Sequence, residues 1–312
     1  MSAGAAPEPA SPDPAPARLT LRLPIAGEFG SDPGTVVDLA RRAEDAGFGA
    51  VSISDHVLMG AHADRYPWGE FPFSPEQPWF EPLTVLTAVA ARTTTIGLTT
   101  GILIVPLRPA PLLAKWAATL DVISGGRLEL GVGTGWQKEE FDALGLDHSQ
   151  RGPMLTDFIG ACRALWGADP ASFRSPTVTF EEIWCDPKPV RPGGIPVLFA
   201  GTLTPRMQRR IVELGDGWIP IMGERRAAIA AGIETLRERF REAGRDPATL
   251  RVRSALRLGA GLAASLEKSV DLVEAGVTDL DVPFSFFVRE REGVGPFFEE
   301  AAPAIAGWGA GR

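Results

Sequence analysis

The chain has 312 residues, of which 45% are hydrophobic and 22% charged, so it can bury a large core as one barrel or as two smaller domains. Its formal net charge of −8 disfavours a nucleic-acid partner, because the phosphates would be repelled. No apolar run approaches the ~20 residues that a membrane-spanning helix needs. Cys162 and Cys185 have neither metal-type nor disulfide-framework spacing, which favours a reducing, cytoplasmic location.

Residues 1–17 are rich in alanine, proline and serine, and they lack both the apolar core and the basic lead of a signal peptide. A segment of this composition cannot bury enough apolar surface to order itself. We therefore predict a disordered tail over residues 1–17 and a single folded domain over residues 18–312.

From residue 18 onward, hydrophobic patterns typical of strands alternate with patterns typical of helices. Strands are predicted at 18–24, 50–53, 95–105, 127–132, 195–200, 217–220, 250–258 and 279–283. Helices are predicted at 33–46, 81–91, 110–123, 152–166, 205–214, 225–243, 264–275 and 294–306. This alternation predicts an α/β fold, a (β/α)₈ TIM barrel with insertions at its C-terminal face. A doubly wound sheet is the alternative, but it would place a GxGxxG near the first strand, where residues 23–30 have none.

Polar residues and glycines follow the predicted strands at the end where parallel α/β folds bind their ligands. Ser54-Asp55-His56 ends the second strand, and Gly133-Thr134-Gly135-Trp136 ends the fourth. Glycine at such a position lets the backbone approach a flat ring or a phosphate, although it also serves in ordinary turns. The segment 57–80 has no periodicity but many aromatic residues, so we interpret it as a lid or a pocket wall.

The remaining polar residues favour plainer interpretations. Glu139 and Glu140 indicate a helix start or a solvated face, and His62 and His148 indicate solvated surface. Asp216, which precedes a glycine, favours a turn over a ligand, and the Trp136 ring suits a core as well as a pocket wall. No HxxEH, HxH or cluster of carboxylates indicates a metal site.

Five motifs, in this order and at this spacing, resemble the luciferase-like monooxygenase superfamily and, within it, the F420-dependent oxidoreductases. They are ISDH at 53–56, TTGILIVPLRP at 99–109, LAKWAATLDVISGGRLELGVGTGW at 113–136, EEFDALGLDHSQRG at 139–152 and LGDGWIP at 214–220. The resemblance implies a TIM barrel, usually a homodimer, with a deazaflavin or flavin lying across its C-terminal mouth.

The resemblance also implies roles for particular residues. Asp55 and His56 would lie beside the reactive ring, where a histidine suits proton transfer near neutral pH. Thr100, Gly101 and Ile102 would form a bulge behind the ring, often with a non-prolyl cis peptide. The other implied cofactor contacts are Thr134, Gly135 and Trp136 at the ring and its side chain, Ala200, Gly201 and Thr202 at the phosphate, and Arg151 near the tail or bracing the Glu139–Glu140 loop.

Two positions depart from the pattern. Relatives often have two glycines where this chain has Ala200-Gly201, and Trp136 stands where the F420-dependent sugar-phosphate dehydrogenases place an acid as proton donor. The resemblance thus implies an F420-dependent oxidoreductase that acts on a different small organic substrate, which the aromatic loop suggests is apolar or aromatic. The alternative is an FMN-dependent monooxygenase that uses O₂ and a separate reductase. Two further classes are a binding protein that has lost turnover and a hydrolase, for which only Asp55 and Asp216 offer carboxylates near strand ends.

Overall fold

In the computed structural model of the protein, residues 16–25, 27–71 and 73–310 are described. The predicted tail over residues 1–17 lies outside them except for its last two residues. Ala17 is buried, and its carbonyl oxygen accepts a hydrogen bond of 2.9 Å from Nε1 of Trp308.

The strands of the described residues are β1 (Arg18–Arg22), β2 (Ala50–Ile53), β3 (Gly97–Thr100), β4 (Leu103–Ile104), β5 (Leu128–Gly133), β6 (Ala171–Arg174), β7 (Thr179–Ile183), β8 (Val197–Ala200), β9 (Gly217–Ile219), β10 (Arg251–Ala255) and β11 (Asp279–Pro283). Nine of them form one parallel sheet that closes on itself, in the order β3-β2-β1-β11-β10-β9-β8-β5-β4 with an additional pairing of β3 to β5, while β6 and β7 form a separate sheet. Because β3 and β4 are two parts of one barrel strand, the sheet is a closed eight-stranded (β/α)₈ barrel, which confirms the predicted fold.

Helices surround the barrel and connect its strands. They are α1 (Gly27–Gly30), α2 (Pro33–Asp45), α3 (Pro82–Ala90), α4 (Ala110–Ile123), α5 (Lys138–Ala143), α6 (Arg151–Gly167), α7 (Pro205–Leu214), α8 (Arg226–Glu242), α9 (Leu262–Glu274), α10 (Phe284–Phe287) and α11 (Val294–Ala310). The eight predicted helices correspond to α2, α3, α4, α6, α7, α8, α9 and α11 within a few residues. The prediction did not include α1 and α10, which have four residues each and therefore little periodicity to detect. For α5, a helix start at Glu139 and Glu140 was one of two interpretations.

The strands differ from the prediction in two places. The predicted strand 95–105 is divided into β3 and β4 by residues 101–102, which leave the sheet at the mouth. The insertion before β8 contains an antiparallel hairpin of β6 and β7, which lies outside the eight predicted strands. The barrel strands themselves are almost fully buried, because helices cover their outer face and side chains fill their interior.

Candidate active site

The predicted site residues follow four barrel strands that are neighbours in the sheet. Ile53 pairs with Thr100, Ile104 with Gly133, and Val132 with Phe199. Parallel strands end at the same edge, so the segments 54–56, 100–102, 134–136 and 200–202 all lie at the C-terminal mouth. Asp216 lies at the other end of the barrel, because its Oδ2 accepts the N–H of Val197, the first residue of β8, at 2.9 Å. The two carboxylates of the hydrolase hypothesis therefore lie at opposite ends of the barrel.

His56 is held through one ring nitrogen by a buried carboxylate. Its Nδ1 lies 2.9 Å from Oε2 of Glu140, whose side chain is fully buried. The other oxygen of Glu140 accepts the backbone N–H groups of Val57 at 2.8 Å and Leu58 at 3.2 Å. Nε2 of His56 makes no hydrogen bond within the described part of the chain. An ionised carboxylate only accepts, so Nδ1 carries the proton and Nε2 is the nitrogen left to a ligand.

The prediction of a solvated face for Glu140 was therefore wrong, although a helix does start here, as α5. Little in the sequence indicates the contact between Glu140 and His56, because the two residues are 84 positions apart and no local pattern links them. Glu139, its neighbour, is partly exposed and pairs with the exposed Arg65 at 2.8 Å. Adjacent positions on a helix point in different directions, so one glutamate enters the mouth while the other faces solvent.

The carboxylate of Asp55 is fully occupied by groups on the strand beside it. Arg108 donates to both of its oxygens, at 2.7 Å and 2.9 Å, and the N–H of Ile104 donates at 2.8 Å. Arg108 also donates to Glu81, the N-cap residue of α3, at 3.0 Å. Burial raises the pKa of Asp55 against the opposing charge of Arg108. Burial alone would lower the pKa of Arg108, but the charges of Asp55 and Glu81 outweigh it and raise that pKa.

Arg108 is a buried residue of this site that the sequence analysis did not single out. It is a single charge within the otherwise apolar run 102–114, where a buried ionic partner could have been expected. The ion pair ties the end of β2 to the segment after β4, directly beside His56.

Residues 100–102 form a bulge at the mouth, and the peptide bond between Gly101 and Ile102 is cis, as the resemblance implies. The N–H of Gly101 donates to the carbonyl of Ile53 at 2.8 Å, and its own carbonyl accepts from Oγ of Ser54 at 3.0 Å. From below, Arg253 donates to the carbonyl of Thr100 at 3.2 Å. The bulge is thus held on both sides by β2 and by the barrel interior.

The glycines of β5 are required by the bulge that packs against them. A Cβ on Gly131 would lie 2.2 Å from the carbonyl oxygen of Thr100, and one on Gly133 would lie 2.8 Å from Cδ1 of Ile102. Gly135 has a φ of +70°, and a Cβ there would lie 2.7 Å from the side chain of Ile104. Thr134 and Trp136 remain partly exposed at the mouth.

His148 and Arg151 support Trp136 from behind. Nε2 of His148 lies 3.2 Å from the carbonyl oxygen of Trp136, and Arg151 donates to the carbonyl of His148 at 2.9 Å. Burial, together with the charge of Arg151, lowers the pKa of His148. His148 is partly exposed and makes hydrogen bonds within the protein, whereas His62 is exposed as predicted. The hydrogen bonds of Arg151 go to His148, and none to Glu139 or Glu140 occurs among the described residues.

The segment 200–202 leads from β8 into α7. The N–H of Gly201 donates to the carbonyl of Ile219 at 3.0 Å, so this amide is occupied by the neighbouring strand. Within the described part of the chain, the N–H groups of Thr202, Leu203 and Arg206 make no hydrogen bond. Unpaired amides at the positive end of a helix dipole suit a phosphate.

The aromatic loop covers the mouth as a lid, which we define as residues 57–80. Its rings contact His56 and Trp136: Trp79 lies 4.6 Å and Phe71 5.9 Å from His56, and Tyr66 lies 5.3 Å from Trp136, all between ring centroids. The base of the lid is tied to the segment after β5, where the N–H of Gly60 donates to Oε1 of Gln137 at 2.6 Å. Nε1 of Trp79 is buried and has no hydrogen-bond partner in the described part.

These residues fit a flat redox ring with a phosphate tail: glycines and small residues line the mouth, one histidine nitrogen is unpaired there, and free amides follow β8. Within the described ranges, no group of three or more histidine, cysteine or acidic side chains could hold a metal ion. No helix in the described part of the chain is long and apolar enough to cross a membrane.

Comparison with known proteins agrees with this arrangement. The family model for luciferase-like monooxygenases matches residues 15–286. The uncharacterized protein Rv0953c of Mycobacterium tuberculosis strain H37Rv is 34% identical over 224 residues, which cover 70% of this chain and 78% of that protein. The chain therefore belongs to the luciferase-like monooxygenase family.

Solved structures show the same fold. An F420-dependent secondary alcohol dehydrogenase, in complex with an F420-acetone adduct, superimposes with a TM-score of 0.75 at 17% identity, over 93% of this chain and 99% of that one. The EDTA monooxygenase EmoA from Chelativorans sp. BNC1 superimposes with a TM-score of 0.75 at 13% identity, over 94% of each chain. Family membership supports an oxidoreductase or monooxygenase, and it leaves the cofactor and the substrate open.

Proposed function

We propose that this protein is an F420-dependent oxidoreductase, which transfers a hydride between the deazaflavin and a small apolar or aromatic organic substrate. The observation that carries the proposal is the His56–Glu140 pair beside the bulge at 100–102. The bound cofactor would supply the hydride chemistry, and the protein would supply orientation and proton transfer.

In this proposal His56 is the general acid or base. Glu140 keeps the proton on Nδ1, so Nε2 is free to take a proton from a substrate hydroxyl or, once protonated, to return it to a carbonyl. The buried carboxylate also stabilises the charged ring that forms during transfer, as the acid in a catalytic triad does. The rings of the lid exclude water from the neighbourhood of Nε2.

For Asp55 we propose a positioning role in place of the catalytic role that the resemblance implies. Its two oxygens are occupied by Arg108 and Ile104, and its side chain is buried away from the mouth. Asp55 would act through the backbone by fixing the direction in which His56 leaves β2.

We also propose which residues contact the cofactor. Gly101, Ile102, Thr134, Gly135 and Trp136 would line the ring, and Thr100 would support the bulge through its hydrogen bond of 2.7 Å to the carbonyl of Gly131. The free amides at Thr202, Leu203 and Arg206 would hold the phosphate. Ala200 and Gly201 would then serve only to space these amides from β8, since the N–H of Gly201 is already paired.

The alternative is an FMN-dependent monooxygenase that receives reduced flavin from a separate reductase. It is supported by the match to pyrimidine monooxygenase RutA of Escherichia coli strain SMS-3-5, which is 34% identical over 117 residues. That match covers 36% of this chain and 32% of RutA, so it is the weaker support.

We also propose a homodimer that forms through the outer face of α4. Leu112, Trp116 and Ile123 are 41%, 42% and 49% exposed, and they follow one another at helical spacing. An exposed apolar stripe of this kind is typical of an interface. In a two-fold symmetric dimer both subunits would contribute this same face.

The test is a binding titration of the purified protein with F420 and, separately, with FMN, followed by absorbance and protein fluorescence. We expect micromolar or tighter binding of F420 and weaker binding of FMN. Candidate alcohols and ketones are then screened by the change in F420 absorbance. Binding of neither ring would refute the proposal, and preferential FMN binding with oxygen uptake would establish the alternative.

His56→Ala should abolish turnover while F420 still binds. The matched control is His62→Ala, because His62 is an exposed histidine on the lid that begins directly after His56. Full turnover in His56→Ala would remove the catalytic role from this residue.

A further inference from the structure

Three polar side chains at the ends of β1, β2 and β11 lie on the floor of the mouth. Nε of Arg22 donates to Oδ2 of Asp281 at 2.7 Å, and Nη2 pairs with the same oxygen. Oγ of Ser52 donates to Oδ1 of Asp281 at 3.1 Å. A Cβ on Gly101 would lie 3.4 Å from that hydroxyl, so this floor directly adjoins the bulge.

Arg22 has donor capacity left over. Nη1 makes no hydrogen bond within the described part of the chain, although Nε and Nη2 are both paired. The Arg22 side chain is 28% exposed, whereas that of Asp281 is 15% exposed and each of its two oxygens is already bound. The group that the floor offers to a ligand is therefore a guanidinium edge.

An ion-pair network lies in the barrel below Arg22. Arg18, Arg251 and Arg253 contact Glu129 and Asp279 in this network. Among the described residues, Arg22 pairs with Asp281 and takes no part in the network, so its Nη1 edge stays available at the mouth.

Tyr66 lies on the lid and contacts Trp136 at the mouth. It is the chain's single tyrosine, and its ring lies 5.3 Å from that of Trp136. Its hydroxyl makes no hydrogen bond within the described part of the chain. Burial raises the pKa of Tyr66, and the charge of Arg22 opposes that shift. The phenol is thus a neutral hydrogen-bond donor at the mouth.

We infer that Arg22 and Tyr66 form a carboxylate-binding subsite, so that the substrate is a small aromatic or apolar carboxylic acid. Arg22 would donate through Nη1 and Tyr66 through its hydroxyl, and the apolar part of the substrate would lie against Phe71, Trp79 and Trp136. A charged donor and a neutral donor on one carboxylate give strong, oriented hydrogen bonds. The inference rests on the proposed function only in treating the mouth beneath the lid as the substrate site.

The test compares benzoate with benzamide as probes on the full chain, with and without bound F420. The two probes share a ring and a shape, but only benzoate carries a charge. Binding is followed by calorimetry and by quenching of tryptophan fluorescence. We expect benzoate to bind about tenfold or more tightly than benzamide, because it gains a charge-assisted hydrogen bond.

Arg22→Met should remove that preference and leave the affinity for benzamide unchanged. Arg22→Lys should restore part of it, and Tyr66→Phe should weaken benzoate binding about threefold, the loss of one neutral hydrogen bond. The matched control is Arg92→Met, which removes an exposed arginine elsewhere. If Arg22→Met does not fold, the benzoate and benzamide affinities of Arg22→Lys and Tyr66→Phe still test the inference. Thermal unfolding checks that these two variants are folded.

Equal affinities for the two probes, or benzoate binding that is insensitive to Arg22, would overturn the inference. Such a result in a protein that binds F420 leaves the proposed function intact. A protein that binds benzoate through Arg22 but binds neither F420 nor FMN would refute the proposed function and keep the carboxylate subsite.

Discussion

Replacing Glu140 by glutamine tests the central pair of the site while nearly preserving its shape. In the native protein the two oxygens of Glu140 accept three hydrogen bonds, from Nδ1 of His56 and from the N–H groups of Val57 and Leu58. Glutamine has one oxygen, which the two backbone N–H groups would take. Its NH₂ group would then face Nδ1, and the ring could avoid two opposed donors only by moving its proton to Nε2.

The expected effect on catalysis follows from this tautomer change. With a proton on Nε2, His56 cannot accept one there, so we expect turnover to fall by about 10²- to 10⁴-fold, the usual contribution of a positioned acid or base. The loss of a buried, charged acceptor should lower the free energy of unfolding by about 1–3 kcal/mol.

The assay is ¹⁵N NMR of the imidazole nitrogens in alkaline buffer, where a free histidine side chain is neutral. The chain has 3 histidines, so the signals can be assigned by substitution. In the native protein Nε2 of His56 should be the unprotonated nitrogen, and in Glu140→Gln it should be Nδ1. Turnover is measured in parallel with whichever substrate the F420 screen identifies.

Glu139→Gln is the control, since it makes the same change one residue away in the same helix. Among the described residues, Glu139 pairs only with the exposed Arg65, so its replacement should leave the His56 tautomer and the turnover unchanged and cost less than about 1 kcal/mol. The reasoning would be refuted by a Glu140→Gln protein that is folded, keeps the native tautomer and turns over normally.

Three further predictions concern stability and assembly. Arg108→Met should lower the free energy of unfolding by about 3–5 kcal/mol in urea titrations, because it leaves the Asp55 carboxylate buried without its partner, and a loss below 1 kcal/mol would contradict the ion pair. At Glu44, burial alone would raise the pKa, but hydrogen bonds from the N–H groups of residues 94–96 outweigh it and lower the pKa to about 2. A carboxyl group with a lowered pKa stabilises the fold at pH values above its unfolded pKa of 4.5. Glu44→Gln should therefore lower the free energy of unfolding by about 1 kcal/mol at pH 7, and urea titrations should show this difference from the native protein shrinking as the pH falls below 4.5. A difference that stays constant with pH would contradict this reasoning. Trp116→Glu should convert a dimer to monomers in sedimentation experiments, with little change in folding because the ring is 42% exposed, whereas an unchanged native dimer would place the interface elsewhere.

The sequence by itself determined the order of strands and helices and the end of the barrel at which the site lies. These features depend on local patterns. α2, for example, begins at Pro33 after the capping residue Asp32 and buries Val36, Leu39, Ala40 and Ala43 at helical spacing. The five motifs between residues 53 and 220 pointed to the family without any structure, because their order and spacing together are specific.

Only the tertiary structure decided which polar side chains meet. Glu140 reaches His56 across 84 residues, Arg108 reaches Asp55 across 53, and Arg22 reaches Asp281 across 259. Each pair depends on the strand order of the sheet, which brings the ends of strands distant in sequence together, and on the direction in which each side chain leaves its element. A local pattern carries no information about either, so the same sequence could place Glu140 in solvent or against His56 until the fold excluded one of them.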